Sequence, residues 1–315
     1  MKLQTITRIV GGLVALFVLT SAAFAQNSFE ADTQKWRQQR EEKLKADDGW
    51  LTVSGLFWLK EGINTIGGSP ASNIVLPPKS APAQVGEFEY QDGKITFRAA
   101  EGVAVTVNNK LICESEVKTD ADGKPDVIQV ADLSFIVLKR GERFGIRLKD
   151  KNARTRREFA GLNWYAPNET YRVTAKFIPY EQPKEVNVVN IIGDVEKLKS
   201  PGYVVFSLNG KEFSLEPVSS GKDKLFFIFH DQTSGKTTYR PGRFLYANAP
   251  EDGQVILDFN QAINPPCAFT IFATCPLPTK RNFLPTTIEA GEKIYNDPVN
   301  NHEVAAKPAA SRKSR

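Results

Sequence analysis

A chain of 315 residues with 41% apolar, 10% aromatic and 24% charged side chains is long enough for about two folded domains, each with its own core. The formal net charge of +5 lies largely outside the body: Lys2 and Arg8 sit in a leading segment, and Lys307, Arg312, Lys313 and Arg315 in the tail. The near-neutral body argues against nucleic acid or an anionic membrane surface as partner.

The first stretch reads as an export signal. Positive charge at Lys2 and Arg8 precedes an apolar run from Ile9 to Thr20, and Ala23-Phe24-Ala25 has the small-x-small form of a cleavage site. The run is short for a membrane span. Cleavage after Ala25 and a periplasmic or secreted location are therefore expected. The three cysteines are Cys113, Cys267 and Cys275. Cys267 and Cys275 bracket an apolar segment, so a disulfide between them suits an oxidising compartment; two buried thiols that never meet are the other reading. With two histidines in the chain and none near these cysteines, neither a metal nor another cofactor is expected.

Residues 28–46 read as one amphipathic helix. Trp36, Arg40, Lys43 and Leu44 recur at helical spacing behind Phe29, and Asp47-Asp48-Gly49 ends the pattern. Such a helix is expected to pack across the domain that follows. From Trp50 to Asp150 the pattern is all β. Lys94–Arg98 and Val103–Val107 alternate with period two, and Gly67-Gly68-Ser69-Pro70, Asp92-Gly93, Asn108-Asn109 and Asp122-Gly123 are turn signals. An antiparallel sandwich over 47–150 follows.

Part of this sandwich resembles a forkhead-associated (FHA) domain. The resemblance lies in Gly62-Ile63-Asn64-Thr65-Ile66-Gly67, Asn73-Ile74-Val75-Leu76-Pro77 and Val105-Thr106-Val107-Asn108-Asn109. The phosphothreonine-reading positions do not carry over. Gly68 stands where an Arg is expected, and Ala81, Pro82 and Ala83 follow Ser80 without a His. Without a guanidinium to pair a phosphate, no phosphothreonine peptide is expected as partner.

Residues 151–158 are basic without apolar period and read as a solvated linker, or alternatively as an anion-binding rim. The β pattern resumes at Phe159. Tyr171–Phe177, Glu185–Asn190, Tyr203–Leu208 and Phe213–Leu215 alternate, and Asn209-Gly210 is a strong hairpin signal. The reading for 159–295 is a second antiparallel sandwich or barrel, with a disordered tail over 296–315.

From about 145 to 295 the chain resembles the DUF1684 family, bacterial and archaeal proteins of unknown function. The resemblance is carried by Phe159-Ala160-Gly161-Leu162-Asn163-Trp164-Tyr165, Tyr171-Arg172-Val173, Thr238-Tyr239, Gly242-Arg243-Phe244-Leu245, Leu257–Phe269 with its Asn264-Pro265-Pro266-Cys267 core, Cys275-Pro276-Leu277-Pro278 and Ala290–Tyr295. Ile263 departs from the aromatic usual at its position. The family implies an architecture and no chemistry.

No P-loop, dinucleotide fingerprint, zinc-protease His-Glu pair or Gly-x-Ser-x-Gly elbow is present, so no catalytic residue is assigned. The candidate site is Tyr239, Arg243, Asp258, Asn260 and Asn264, with Glu292 as a further carboxylate. Asp258 and Asn260 at i and i+2 would share a strand face, and Arg243 is the expected partner of Asp258. Two functions fit. One is a non-catalytic, envelope-associated module binding a small ligand, a carbohydrate or other polar metabolite. The alternative is a hydrolase using Asp258 and Glu292 across one cleft. The sequence does not fix the oligomeric state.

Overall fold

The structure is a computed structural model that describes residues 28–219 and 223–295. The expected signal segment to Ala25 and the tail 296–315 lie outside them. The chain divides into two compact units. One contains Asp47–Gly161 and Phe269–Phe272; the other contains the helix α1 (28–45), Leu162–Ala268 and Ala273–Ile294. Both units are built from antiparallel sheets, so the protein is mostly β.

The N-terminal unit has eleven strands. In chain order they are β1 (Val53–Trp58), β2 (Gly62–Gly67), β3 (Ile74–Val75), β4 (Gly86–Gln91), β5 (Lys94–Ala99), β6 (Val105–Val107), β7 (Lys110–Ile112), β8 (Glu114–Glu116), β9 (Ile128–Val130), β10 (Leu133–Arg140) and β11 (Arg143–Asp150). They form two sheets, β1-β11-β10-β9-β6-β7 and β3-β2-β4-β5-β8, with one parallel contact between β2 and β3. Asp92-Gly93 and Asn108-Asn109 take the positive φ that two-residue hairpin turns require, so the turn chemistry expected from sequence is realised. Alternate residues point inward: Ile66, Phe88, Phe97, Val105, Phe135 and Ile146 belong to one apolar cluster. Each contributes about 1.5–3 kcal/mol by burial.

The basic stretch after β11 is largely exposed, and within it Arg154–Arg157 forms one helical turn, α2, with none of its residues buried. Thr155 Oγ1 donates to the Leu51 carbonyl at 2.6 Å, Arg156 Nη2 donates to Asp47 at 2.6 Å, and Ala153 is buried. These bonds fold the segment onto the N-terminal unit and use part of the charge that a rim would have needed.

The C-terminal unit has seven strands: β12 (Arg172–Val189), β13 (Val195–Leu208), β14 (Lys211–Leu215), β15 (Val218–Ser219), β16 (Lys224–Phe229), β17 (Arg243–Asn248) and β18 (Gln254–Asp258). Two sheets, β14-β13-β12-β18 and β15-β16-β17, enclose Phe206, Leu215, Phe227, Phe229, Leu245, Leu257 and Phe259. Tyr171–Phe177 and Glu185–Asn190, read as two runs, belong to one long strand interrupted by a bulge between Pro179 and Lys184. The Asn209-Gly210 hairpin forms as expected, with both residues at positive φ.

α1 belongs to this second unit, although the N-terminal sandwich follows it in sequence. This corrects the expectation that it packs on the domain that follows. Its inward stripe is Phe29, Thr33, Arg37 and Leu44, with Trp36 and Arg40 half-buried and Lys43 exposed. The polar members of the stripe decide its place. Arg37 donates to the Tyr165 carbonyl at 2.8 Å. Glu41 accepts from the Leu162 amide and the Trp164 indole, each at 3.1 Å. The Trp36 ring meets Trp164 edge-on at 5.8 Å.

Candidate functional site

Arg243 opens β17 and its side chain is fully buried. Its partner is Asp231, not the expected Asp258. Arg243 Nη2 lies 3.4 Å from Asp231 Oδ2 and also donates to the Ile288 carbonyl at 2.9 Å, while Nη1 donates to the Ala290 carbonyl. Asp231 is equally buried. It accepts from the Ile288 amide at 2.7 Å and from Thr233 Oγ1 at 2.8 Å. A buried charge survives only when paired and hydrogen-bonded, and both groups meet that condition. Burial lowers the Arg243 pKa, and the Asp231 carboxylate opposes the shift.

Glu292 is buried on the neighbouring segment and likewise engaged at both oxygens. Oε1 accepts from Arg40 Nε of α1 at 2.9 Å, and Oε2 from the Asn264 amide at 2.7 Å. Burial pushes its carboxyl above the ordinary range; Arg40 is the first group opposing that shift. Gly291 beside it has φ +79°, and a Cβ there would sit 2.4 Å from the Ala262 carbonyl oxygen, so only glycine fits. Asn264 donates its side-chain N–H to the Lys293 carbonyl at 2.8 Å.

Asp258 and Asn260 do not share a strand face. β18 ends at Asp258, and Phe259–Gln261 turns into a 3-10 helix with Asp258 at its N-cap. Asp258 Oδ1 accepts from the Asn260 amide at 3.0 Å and from its side chain at 2.9 Å. Asn260 is buried and also bonds the Asn168 backbone, accepting from N–H and donating to C=O, each at 2.9 Å. Burial lowers the Arg37 pKa of α1, and the Asp258 carboxylate opposes that shift. Most polar groups that the sequence reading wanted for a ligand are here bonded within the fold.

Tyr239 is different. It stands after a tight turn in which the amides of Lys236, Thr237 and Thr238 converge on the Thr233 carbonyl. Before β17 the chain reverses at Gly242, φ +124°, where a Cβ would lie 2.4 Å from the Phe229 carbonyl oxygen. Tyr239 is 9% exposed, and its hydroxyl has no hydrogen-bond partner among the described residues. Arg243 Nε and Asn264 Oδ1 share that condition, but those side chains have other bonds; the hydroxyl is the one polar atom of Tyr239. Tyr239 lines a narrow, largely aliphatic crevice whose interior volume of about 10 Å³ has room for about one water. Ile191, Ile228, Phe244 and a set of prolines form its walls, and Cys267 and Cys275 line it too. Burial, with the two cysteines adding to it, raises the Tyr239 phenol well above its ordinary value.

The two cysteines meet. The Cys267 amide donates to Cys275 Sγ at 3.1 Å, and the Cys275 amide to Cys267 Sγ at 3.4 Å. The tip of the β12–β13 hairpin holds this segment: the Ile191 amide donates to the Cys275 carbonyl at 2.9 Å, and the Leu277 amide to the Val189 carbonyl at 2.8 Å.

A family model described as protein of unknown function, DUF1684, matches residues 157–293. The chain belongs to the DUF1684 family. An uncharacterised protein of Haloarcula marismortui, solved in solution by NMR, is 30% identical over 44% of this chain and 79% of its own, with TM-score 0.38. The chain is also similar to an FHA domain from work on phosphothreonine-dependent interactions, at 20% identity over 30% of this chain and 92% of that one, TM-score 0.22. A second FHA domain, from a Mycobacterium tuberculosis ABC transporter, is 17% identical over 28% and 77%, TM-score 0.23. No curated protein matches the chain.

The DUF1684 stretch holds all six expected site residues, but the structure divides them. Arg243, Asn264 and Glu292 form one buried polar lattice with Asp231; Asp258 and Asn260 form a capped turn; Tyr239 alone lines the cavity. Arg40 and Arg37 come from α1, outside the DUF1684 match. The sequence reading missed Asp231 as the partner of Arg243. The available signal was Asp231-x-Thr233-Ser234, a local acceptor pattern that marks an Asp turned inward at a strand end.

Proposed function

We propose that the C-terminal unit is a non-catalytic binding module of an exported, envelope-associated protein, and that its ligand enters the cavity at Tyr239. The observation that carries this reading is the unpartnered Tyr239 hydroxyl, on a residue that lines an aliphatic crevice, which a ligand acceptor would satisfy. The walls favour a small amphipathic molecule over the carbohydrate suggested by the sequence. The planar amides Asn260 and Asn264 and the guanidinium of Arg243 do not line the cavity. The hydrolase alternative loses support because both oxygens of Glu292 are held by Arg40 and Asn264, and Asp258 caps a turn.

The test is a thermal-shift screen with short-chain alcohols, carboxylates and amines on wild type and Tyr239→Phe. A ligand that raises the Tm of wild type and loses most of that shift in the variant supports the reading. If no compound shifts wild type, or if both proteins respond equally, the cavity is not the site.

In an oxidising compartment the Cys267–Cys275 pair is proposed to close into a disulfide, contributing roughly 2–3 kcal/mol. Thiol counting on denatured, unreduced protein from its native compartment is expected to find one thiol, that of Cys113. Three thiols would end this proposal. The N-terminal unit is proposed not to read phosphothreonine. Supporting this, the Gly68 amide is taken by the Pro82 carbonyl at 2.8 Å and the Ser69 amide by the Ala83 carbonyl at 3.0 Å. Phosphate-dependent peptide binding by the protein would overturn it.

A further inference from the structure

We propose that Glu216, Lys184 and Arg281 of the C-terminal unit form a site for a free acidic α-amino acid, its ammonium held by Glu216 and its carboxylates by the two cations. None of these three residues lines the Tyr239 crevice, so the two sites are tested separately.

The sequence opens the place for it. Pro179 and Pro183 cannot donate to a β ladder, and here β12 leaves its pairing with β13. Pro179 pairs with Gly202 and Lys184 with Ser200, so Tyr180 to Pro183 bulge against Pro201 alone. At Gly202 a Cβ would sit 2.3 Å from the Ile178 carbonyl oxygen, so the close approach beside the bulge requires glycine. Bulges re-aim side chains and recur beside functional sites. This one brings Tyr180 and Lys184 to Glu216, which follows β14.

Glu216 is fixed through its backbone by one buried side chain. Its N–H donates to Asn282 Oδ1 at 2.8 Å, and its carbonyl accepts from Asn282 Nδ2 at 2.9 Å. Its own side chain is 5% exposed. Among the described residues the carboxylate accepts one hydrogen bond, from the Tyr180 hydroxyl to Oε1. Burial, with Glu216 adding to it, pushes the Tyr180 phenol up to about 12, so it stays a donor at neutral pH. Lys184 Nζ and Arg281 Nη1 stand 3.9 and 3.8 Å from the same Oε1. A closed ion pair draws nitrogen and oxygen to about 2.7–2.9 Å, and this cluster is open by comparison. Each cation lies over a tyrosine ring instead, Lys184 over Tyr180 at 5.8 Å and Arg281 over Tyr203 at 4.6 Å. Neither has a hydrogen-bond acceptor among the described residues.

The unmet groups select the ligand. Glu216 lines a crevice with Val186, Val188, Phe226, Ile228 and Thr279, and the buried Thr279 hydroxyl has no partner among the described residues. The interior of about 10 Å³ has room for about one water, the size of an ammonium group. A simple carboxylate or phosphate would leave Glu216 facing like charge. A simple amine would leave both cations without an acceptor. An α-amino acid carries both signs on neighbouring atoms: its ammonium meets Glu216 while its carboxylate meets the planar fork of Arg281 and the point charge of Lys184. The site holds two positive charges and one negative, and an acidic amino acid holds the reverse.

The experiment is isothermal titration calorimetry of the full chain with L-glutamate, glutarate and propylamine. One equivalent of L-glutamate is expected to bind. Glutarate lacks the ammonium and propylamine the carboxylates, so each is expected to bind at least about 10-fold more weakly, as loss of a charge-assisted hydrogen bond implies. Glu216→Gln and Arg281→Gln are each expected to weaken L-glutamate by about 10-fold or more, and Tyr239→Phe to leave it unchanged. Arg281 is 38% exposed, so its variant keeps the test open should Glu216→Gln fail to fold. No binding of L-glutamate at millimolar concentration would overturn the proposal and leave a structural ion cluster. So would glutarate or propylamine binding as well as L-glutamate, binding that survives Arg281→Gln, or binding lost in Tyr239→Phe.

Discussion

Tyr239 and Arg243 stand on the same short stretch of chain and face opposite fates. Arg243 is buried among partners: Asp231, two carbonyls and, beyond them, the Glu292–Arg40 pair. Tyr239 is nearly as buried, but its one polar atom meets nothing among the described residues. The difference separates scaffold from site. Charged groups inside a protein are costly unless fully paired, and a lattice that pairs them fixes the segments it ties together. Here it ties the start of β17 to Ile288–Glu292, and that segment to α1. A polar atom left unpaired in an aliphatic wall contributes nothing to such a lattice. It costs stability, which the ligand proposed for this residue would offset.

This contrast ranks the expected effects of mutation. The largest loss belongs to Arg243→Ala, which leaves Asp231 charged and uncompensated. Equilibrium denaturation in urea is expected to show about 3–5 kcal/mol of lost stability. A loss below about 1 kcal/mol would mean that the lattice is not what holds this segment.

Arg40→Ala comes next. It strips Glu292 of its charge partner but acts from a side chain 14% exposed, so about 2–3 kcal/mol is expected. The same variant tests where α1 belongs. In hydrogen exchange, protection should fall in 162–165 and 288–294. If it falls only within 47–150, α1 is packed on the other unit.

Asn260→Ala removes the side chain that joins Asp258 to the Asn168 loop. It is expected to cost about 1–3 kcal/mol, the penalty for leaving buried backbone groups unpaired. Little change would return Asn260 to the list of groups free for a ligand.

A smaller effect appears with pH. Partial burial against Phe283, at 4.7 Å between rings, lowers the His230 pKa, and Asp231 only partly opposes this. A base whose folded pKa is depressed stabilises the fold above its ordinary value of about 6.5, and that contribution is lost as pH falls through the lower folded value. The Tm of His230→Gln is therefore expected to fall less than that of wild type on acidification from neutral pH. An identical acid slope would remove His230 from the account.

Particular residues show how far the sequence was legible. Asp92-Gly93 and Asn209-Gly210 announced their hairpins because positive φ is a local demand that few residues meet. The alternating runs announced the sheets for the same local reason. The partner of Arg243 was not legible. Asp231 and Asp258 both follow an apolar run, and choosing between them needs the tertiary position of Ile288. The i, i+2 argument for Asp258 and Asn260 assumed that the strand continues, whereas an Asp followed by an Asn two residues on is itself a capping pattern that ends one. Glu292 and Arg40 meet across almost the whole chain, and no local rule links them. An amphipathic stripe tells that α1 packs, not on which unit. Cys267 and Cys275 were legible as a pair because the loop between them is short. That their neighbour Tyr239 lacks a partner is a property of packing alone.

The most direct test of the division between lattice and cavity is the urea denaturation midpoint of Tyr239→Phe against wild type, with no ligand added. Removing an unpaired buried hydroxyl leaves an aliphatic wall slightly better matched, so the midpoint is expected to stay unchanged or rise a little. A loss of more than about 1 kcal/mol would show that the hydroxyl is bonded in the folded protein, and would contradict the account.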